Sequence, residues 1–134
     1  MLILISLDLN SFLPLNSFLD LAHIHNFGIA FGLFAGQIPA WFLIFIGIFV
    51  TFIIIYMMIK STNVSEKWAL TMIIAGAASN IFDRIINGYV IDFIYFHYKG
   101  MYWPAFNFAD IYISVGISIF LYQVLKDMHK RLFN

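Results

Sequence analysis

The sequence predicts an all-α integral membrane protein with three transmembrane helices. Of its 134 residues, 63% are hydrophobic and only 10% are charged, whereas a soluble domain carries about 25% charged residues. The mean hydropathy is +0.92. The formal net charge is zero, which argues against a nucleic-acid partner. The absence of cysteine excludes disulfides, thiolate nucleophiles and cysteine-ligated metal sites.

Three apolar runs predict the spans, at about residues 40–59, 68–88 and 106–125 of a single membrane-embedded domain 1–134. The first run carries no charge, and a helix of about 20 residues crosses a hydrocarbon core of about 30 Å. The third run opens at Asn107, which is expected to cap its helix.

The positions of lysine and arginine predict the orientation. Lys60 and Lys67 flank the loop between the first two spans, and residues 1–39 contain neither residue type. Three more cations follow the third span: Lys126, Lys130 and Arg131. The positive-inside rule therefore places the C-terminus in the cytoplasm and the 85–105 connection outside. Three spans then leave the N-terminus outside, so we expect that a first helix is missing from this chain.

Polar side chains interrupt the second span at helical spacing. They are Asn80, Asp83, Arg84 and Asn87. A charge near a helix centre costs about 2.5–3.5 kcal/mol on membrane-insertion scales, so these groups need partners. One interpretation is a buried polar network that fixes helix packing, and the other is a functional site.

Two further aspartates, Asp92 and Asp110, flank the connection between the second and third spans. Both lie at the predicted outer ends of their spans, so their carboxyl groups are able to meet at one depth. In the alternative interpretation, Asp110 completes a capping arrangement with Asn107, and Asp92 is a surface carboxylate. The spacing leaves both interpretations open.

An aspartate pair of this kind supports peptide hydrolysis without a metal ion or a covalent intermediate. Two carboxylates that share a site resist ionising together, so one of them retains a proton near neutral pH. Asp110 is the expected ionised member, because the first turn of a helix favours negative charge. The pair is able to hold a water molecule, remove its proton and protonate a leaving amine.

Three motifs, in order, resemble those of the lipoprotein signal peptidases, the type II signal peptidases of bacteria. They are NFGIAFG (26–32), GAASNIFDRIINGYVIDF (76–93) and FNFADIYISVG (106–116). The family patterns are Asn-x-Gly-x-Ala-Phe, then Gly-Asn-x-x-Asp-Arg with Gly-x-Val-x-Asp-Phe, then Phe-Asn-x-Ala-Asp. Each motif alone is a weak signal, but all three in this order are specific.

The resemblance implies that Asp92 and Asp110 are the catalytic pair of an aspartic endopeptidase without a cofactor or metal ion. The substrate would be a bacterial prolipoprotein whose cysteine carries a diacylglyceryl group, and cleavage would occur just before that cysteine. The resemblance also implies supporting or substrate-binding roles for five polar residues: Asn26, Asn80, Asp83, Arg84 and Asn107.

The resemblance further implies a multi-pass protein of the bacterial cytoplasmic (inner) membrane, with its active site on the outer face. We expect it to contact membrane lipids, to act as a monomer and to bind no nucleic acid. The family has four spans, the first with an Asp-x-x-x-Lys-like element that is absent here. Its members also carry a small extracytoplasmic β-platform, to which the segment LAHIHNFGIAFGLF is expected to contribute strands.

Other interpretations compete with this one. Asp20, His23 and His25 have a spacing that a metal site can use, but no further ligand set is evident, so surface histidines are expected. An ion or proton carrier would place its charges near the bilayer centre in repeated halves, and no internal repeat is visible. A small non-catalytic membrane subunit would tolerate the loss of either key aspartate.

Overall fold

A computed structural model describes residues 7–29 and 33–133. Its helices are α1 (Ala40–Lys60), α2 (Val64–Asn87) and α3 (Phe108–Phe133), and all three are long and apolar enough to cross a membrane. Its strands are β1 (Phe12–Pro14), β2 (Leu19–Asn26), β3 (Val90–Tyr98) and β4 (Met101–Tyr102). These elements confirm the predicted fold class, three spans accompanied by a small β-structure.

The helix ends follow local capping. α2 begins before the predicted residue 68 because Asn63 caps it, its Oδ1 accepting the N–H groups of Ser65 at 2.9 Å and Glu66 at 3.3 Å. α3 begins directly after Asn107, as predicted, but continues to Phe133 rather than residue 125.

Gly88 ends α2 and redirects the chain into the sheet. Its φ is +81°, a conformation that glycine adopts without strain, and its N–H donates to the carbonyl oxygen of Arg84 at 2.9 Å. As a result, Asp92 lies on β3 and not near the end of the preceding helix, where the sequence interpretation put it. Much of the 93–105 connection is likewise strand.

The four described strands form one antiparallel sheet in the order β1-β2-β3-β4. β2 and β3 pair in two stretches separated by a bulge between Leu21 and Ile24. On β3, Ile94 also bridges Phe106, with N–H···O distances of 2.9 and 3.0 Å. This bridge fixes the segment that leads into α3 beside β3.

The described residues divide into two compact units. The first comprises the residues up to 45 together with 82–107, and it contains the sheet. The second comprises 46–81 together with 108–133, and it contains most of the apolar helical length. Whether the chain acts as a single domain remains a prediction.

Small residues allow α2 and α3 to pack closely within the second unit. A Cβ added at Gly76 would lie 2.5 Å from the carbonyl oxygen of Ala109, and one added at Gly116 would lie 2.6 Å from that of Ala69. Glycine and alanine are typical of such contacts between membrane helices, because they let the backbones approach.

Candidate active site

Asp92 is the most deeply buried carboxylate of the first unit, with 2% of its surface exposed. Both of its oxygens accept hydrogen bonds from amide side chains: Asn26 Nδ2 donates to Oδ2 and Asn107 Nδ2 donates to Oδ1, each at 2.9 Å. Acceptance at both oxygens suits a carboxylate. The alternative in which Asp92 is a surface carboxylate is therefore wrong.

Asn26 reaches Asp92 because of the β2–β3 register. Asn26 lies opposite Val90 and Ile24 lies opposite Asp92, so Asn26 and Asp92 are diagonal neighbours on one face of the sheet. The Asn26 amide is itself fixed by the following turn. Its Nδ2 donates to the carbonyl oxygen of Ile29 at 3.0 Å, and its Oδ1 accepts the N–H of Gly28 at 2.8 Å.

Arg84 supports the same turn from the end of α2. Its Nη2 donates to the carbonyl oxygen of Gly28. A Cβ at Gly28 would collide with the carbonyl oxygen of Leu33, so the turn requires glycine there. Residues 30–32 of the NFGIAFG motif (26–32) lie outside the described residues. Arg84 thus contacts the backbone that orients Asn26, and Asn26 in turn holds Asp92.

In the second unit, Asp110 lies in the first turn of α3 and is partly buried. Asn80 of α2 donates from Nδ2 to Asp110 Oδ1 at 3.0 Å. The N-terminal turn of a helix stabilises negative charge at this position. Each key aspartate therefore has an asparagine donor within its own unit, and all the asparagines involved belong to the predicted set.

Asp83 is a further residue of the predicted site. It is half-buried in α2 beside Arg84.

The face of the sheet opposite to that of Asp92 carries a separate pair of polar side chains. His97 Nε2 lies 2.9 Å from Asp20 Oδ1, an ion pair when the histidine is protonated. Burial, together with the neighbouring Tyr102 and Asp20, raises the pKa of Tyr95 on this face. The Asp20–His97 pair was missed from the sequence, since only the strand register brings these distant residues together.

The two histidines grouped with Asp20 in the sequence pair with each other. His25 Nε2 lies 3.2 Å from His23 Nε2, and the His25 ring stacks on Tyr89 at 3.7 Å between centroids. Burial, and secondarily the nearby His23, lowers the pKa of His25. In the described part of the chain, no three His, Cys, Asp or Glu side chains converge as a metal site would require.

Comparison with known proteins identifies the family. A family model described as signal peptidase (SPase) II matches residues 1–126. The lipoprotein signal peptidase of Thermodesulfovibrio yellowstonii is 48% identical over 110 residues, which cover 81% of this chain and 72% of that protein. That of Teredinibacter turnerae is 39% identical over 118 residues, covering 84% and 69%.

A solved structure described as a bacterial membrane enzyme, obtained by the in meso method at 2.3 Å, superposes with a TM-score of 0.82 at 28% identity. The match covers 92% of this chain and 76% of that one. Together with the three spans, these similarities indicate a protease of the bacterial inner membrane. The chain belongs to the signal peptidase II family.

Proposed function

We propose that the chain removes signal peptides from diacylglyceryl-modified prolipoproteins, cleaving just before the lipidated cysteine, with Asp92 and Asp110 as its catalytic pair. The observation that carries the proposal is the buried Asp92 carboxylate, held by amide donors at both oxygens. Burying a carboxylate costs free energy, so a carboxylate that is buried and held by two donors is typical of a functional group. The similar proteins named above are lipoprotein signal peptidases, which supports the choice of substrate.

The chain connectivity supports the pairing of the two aspartates. Asn107, which donates to Asp92, immediately precedes α3, and Asp110 follows in the first turn of the same helix. Asn80 in turn donates to Asp110. The asparagines are proposed to position the carboxyl groups, since they offer neutral donors that do not titrate.

The proposed reaction needs only the two carboxyl groups and one water molecule. One aspartate, as the carboxylate, takes a proton from the water, and the water oxygen bonds to the carbonyl carbon of the residue before the cysteine. The other aspartate, in its acid form, gives its proton to the leaving nitrogen as the C–N bond breaks. The proton is shared within the pair, so its starting position belongs to both residues together.

The amide donors at Asp92 affect which of the two aspartates, Asp92 or Asp110, is ionised. Hydrogen bonds to a carboxylate favour its ionised form, and Asp92 has them at both oxygens. This competes with the helix-dipole argument, which favours a charged Asp110. We therefore propose that either carboxyl group is able to act as the base, and we assign no fixed order.

The orientation is proposed from the charge distribution. Positively charged residues border the α1–α2 loop and the end of α3, which supports a cytoplasmic C-terminus and a site on the outer face. The sheet would then lie outside, where the lipid anchor of the substrate stays in the bilayer while its peptide bond meets water. A single-domain monomer in contact with membrane lipids completes the proposal.

The decisive experiment replaces each aspartate separately. Purified Asp92→Asn and Asp110→Asn variants, reconstituted with a diacylglyceryl-modified prolipoprotein, should show no cleavage by gel mobility. Asp20→Asn is the matched control, because Asp20 is also a buried aspartate but pairs with His97. It should retain most of the activity. Processing at the normal rate by either of the first two variants would refute the catalytic pair.

A further inference from the structure

The second unit contains a polar pocket that the proposed reaction does not use. It has a volume of about 530 Å³ and lies between the C-terminal end of α1, the start of α2 and the last turns of α3. Charged side chains of both signs line it: Lys60, Arg131, Glu66 and Asp127. Within residues 7–29 and 33–133, these four side chains form no ion pair with one another. The pocket therefore offers both a cationic and an anionic contact to a ligand.

An apolar groove of about 390 Å³ adjoins this pocket in the same unit. Met57 lines both the groove and the polar pocket. On α1 the groove is lined by Gly47, Val50, Ile54 and Met57, whose spacing marks a single face of the helix. The same face continues into the pocket at Lys60, so the two cavities follow one stripe of α1.

α3 shows the same continuity. On this helix the groove is lined by Ile113, Ile117 and Phe120. Farther along the same face, the polar pocket is lined by residues from Val124 to Arg131. From Met57 to Gly47, α1 rises by about 15 Å, which is half of a hydrocarbon core of about 30 Å. The groove is thus about as long as the hydrocarbon layer of one leaflet is thick, and the polar pocket adjoins one of its ends.

We propose that the polar pocket and the apolar groove together bind one phospholipid that carries a phosphoethanolamine headgroup. Lys60 and Arg131 contact the phosphate, since ammonium and guanidinium groups are the usual partners of phosphate oxygens. Asp127 accepts hydrogen bonds from the primary ammonium, and one acyl chain lies in the groove. The carboxylate of Glu66 already accepts the Ser61 hydroxyl, so it contributes charge and not a direct contact.

The balance of charge selects this headgroup over others. Two cations and two anions line the pocket, which matches a zwitterion better than an anionic lipid. A choline headgroup has no N–H group to donate to Asp127. A free headgroup would leave the groove empty, so the site is for a lipid and not for a soluble phosphate ester.

The test titrates phosphatidylethanolamine, phosphatidylglycerol and phosphatidylcholine, with identical acyl chains, onto the delipidated full chain and counts adducts by native mass spectrometry. Phosphatidylethanolamine should bind tightest, and this comparison needs no variant. The Lys60→Gln/Arg131→Gln protein should lose about tenfold or more in apparent affinity for it. Asp127→Asn should weaken phosphatidylethanolamine but not phosphatidylglycerol.

The matched control is Lys126→Gln/Lys130→Gln, which removes the same charge from α3 at positions that do not line the pocket. Its affinity should be unchanged. Val50→Trp, which fills the groove, should weaken all three lipids, and soluble glycerophosphoethanolamine should bind far more weakly than the lipid. Equal binding of the three lipids, an equal loss in the control pair, or no adduct at any concentration would each overturn the proposal.

Discussion

Replacing Gly76 with alanine tests whether the close approach of α2 and α3 positions Asp110. The added Cβ would lie 2.5 Å from the carbonyl oxygen of Ala109 and 2.7 Å from Cγ1 of Ile113. Carbon–oxygen contacts between packed helices are normally about 3.3 Å or longer, so the backbones must separate by roughly 0.8 Å. Ala109 immediately precedes Asp110, and the displacement falls on the first turn of α3.

The expected magnitude has two parts. Overpacking a well-fitted contact costs about 1–3 kcal/mol, and the better helix propensity of alanine returns up to about 1 kcal/mol. We therefore expect Gly76→Ala to lower the free energy of unfolding by up to about 2 kcal/mol. A misplacement near 1 Å is able to cost about 100-fold in rate, so prolipoprotein cleavage should fall about 10- to 100-fold.

Alanine substitutions at two other glycines separate the effect on the free energy of unfolding from the effect on the cleavage rate. At Gly116 a Cβ meets the carbonyl oxygen of Ala69 at 2.6 Å, so Gly116→Ala should be similarly destabilising but less harmful to cleavage, since it lies farther along α3. At Gly47 a Cβ meets only the Ile81 side chain, at 3.0 Å. Gly47→Ala should therefore keep both its unfolding midpoint and its activity.

The assay pairs thermal unfolding in detergent with the cleavage rate of a reconstituted prolipoprotein for all three variants. The reasoning fails if Gly76→Ala cleaves at the normal rate while it is destabilised as much as Gly116→Ala, because the helix contact would then not control Asp110. It also fails if Gly47→Ala is the most destabilised of the three.

Further predictions concern the donors, the sheet and metals. Asn26→Ala and Asn107→Ala each remove a donor to Asp92 and should slow cleavage about 10- to 100-fold, since a hydrogen bond to a charged group is worth about 1.5–3 kcal/mol. Asn63→Ala, which uncaps α2 and removes a long hydrogen bond to Gln123 but no bond to Asp92, should cleave normally, and rates within twofold for all three would contradict the assigned role. Burial lowers the pKa of His25, so its contribution to stability is complete above its ordinary pKa of about 6.5 and is lost as pH falls below it. The unfolding midpoint should thus drop between pH 7.5 and 5.5, and less in His25→Phe; an identical drop in that variant would exclude His25 as the cause. Cleavage should also persist in excess EDTA, and its loss with recovery on adding a divalent cation would disprove the two-carboxylate mechanism.

The three spans were predictable because their signal is local and continuous. An uncharged run such as residues 40–59 has no favourable state other than a helix across the bilayer, and the helix was found almost as predicted, over Ala40–Lys60. The start of α2 was less visible from hydropathy, because the polar residues after Asn63 form a capped turn in front of the apolar run.

The asparagines of the candidate site were identified by motif resemblance, and their hydrogen bonds to Asp92 and Asp110 became visible only in the structure. The sequence alone left Asp92 open as a surface carboxylate, because nothing local reveals that Asn26 pairs across β2 and β3 or that Phe106 bridges Ile94. Membership of the signal peptidase II family also rules out the alternative of a non-catalytic subunit. The roles of Asp92 and Asp110 as a pair stay a prediction.

The bulge in β2 explains why Asp20 and Asn26 lie on opposite faces of the sheet. In an unbroken strand, side chains two apart share a face, so Asp20 and Asn26 would lie on the same side of the sheet. The register instead sets Leu21 opposite Ile94 and Ile24 opposite Asp92, which inserts one extra residue on β2 and reverses the alternation. Asp20 thereby turns toward His97.

The same bulge keeps the Asp20 carboxylate off the face of the sheet that carries Asp92. Asn26 donates to Asp92 on one side of the sheet, while Asp20 contacts His97 on the other. Without the extra residue, Asp20 would present a second carboxylate on the face of the sheet that carries Asp92. A single inserted residue, which no motif records, therefore decides that Asn26 and not Asp20 lies on the face of the sheet that carries Asp92.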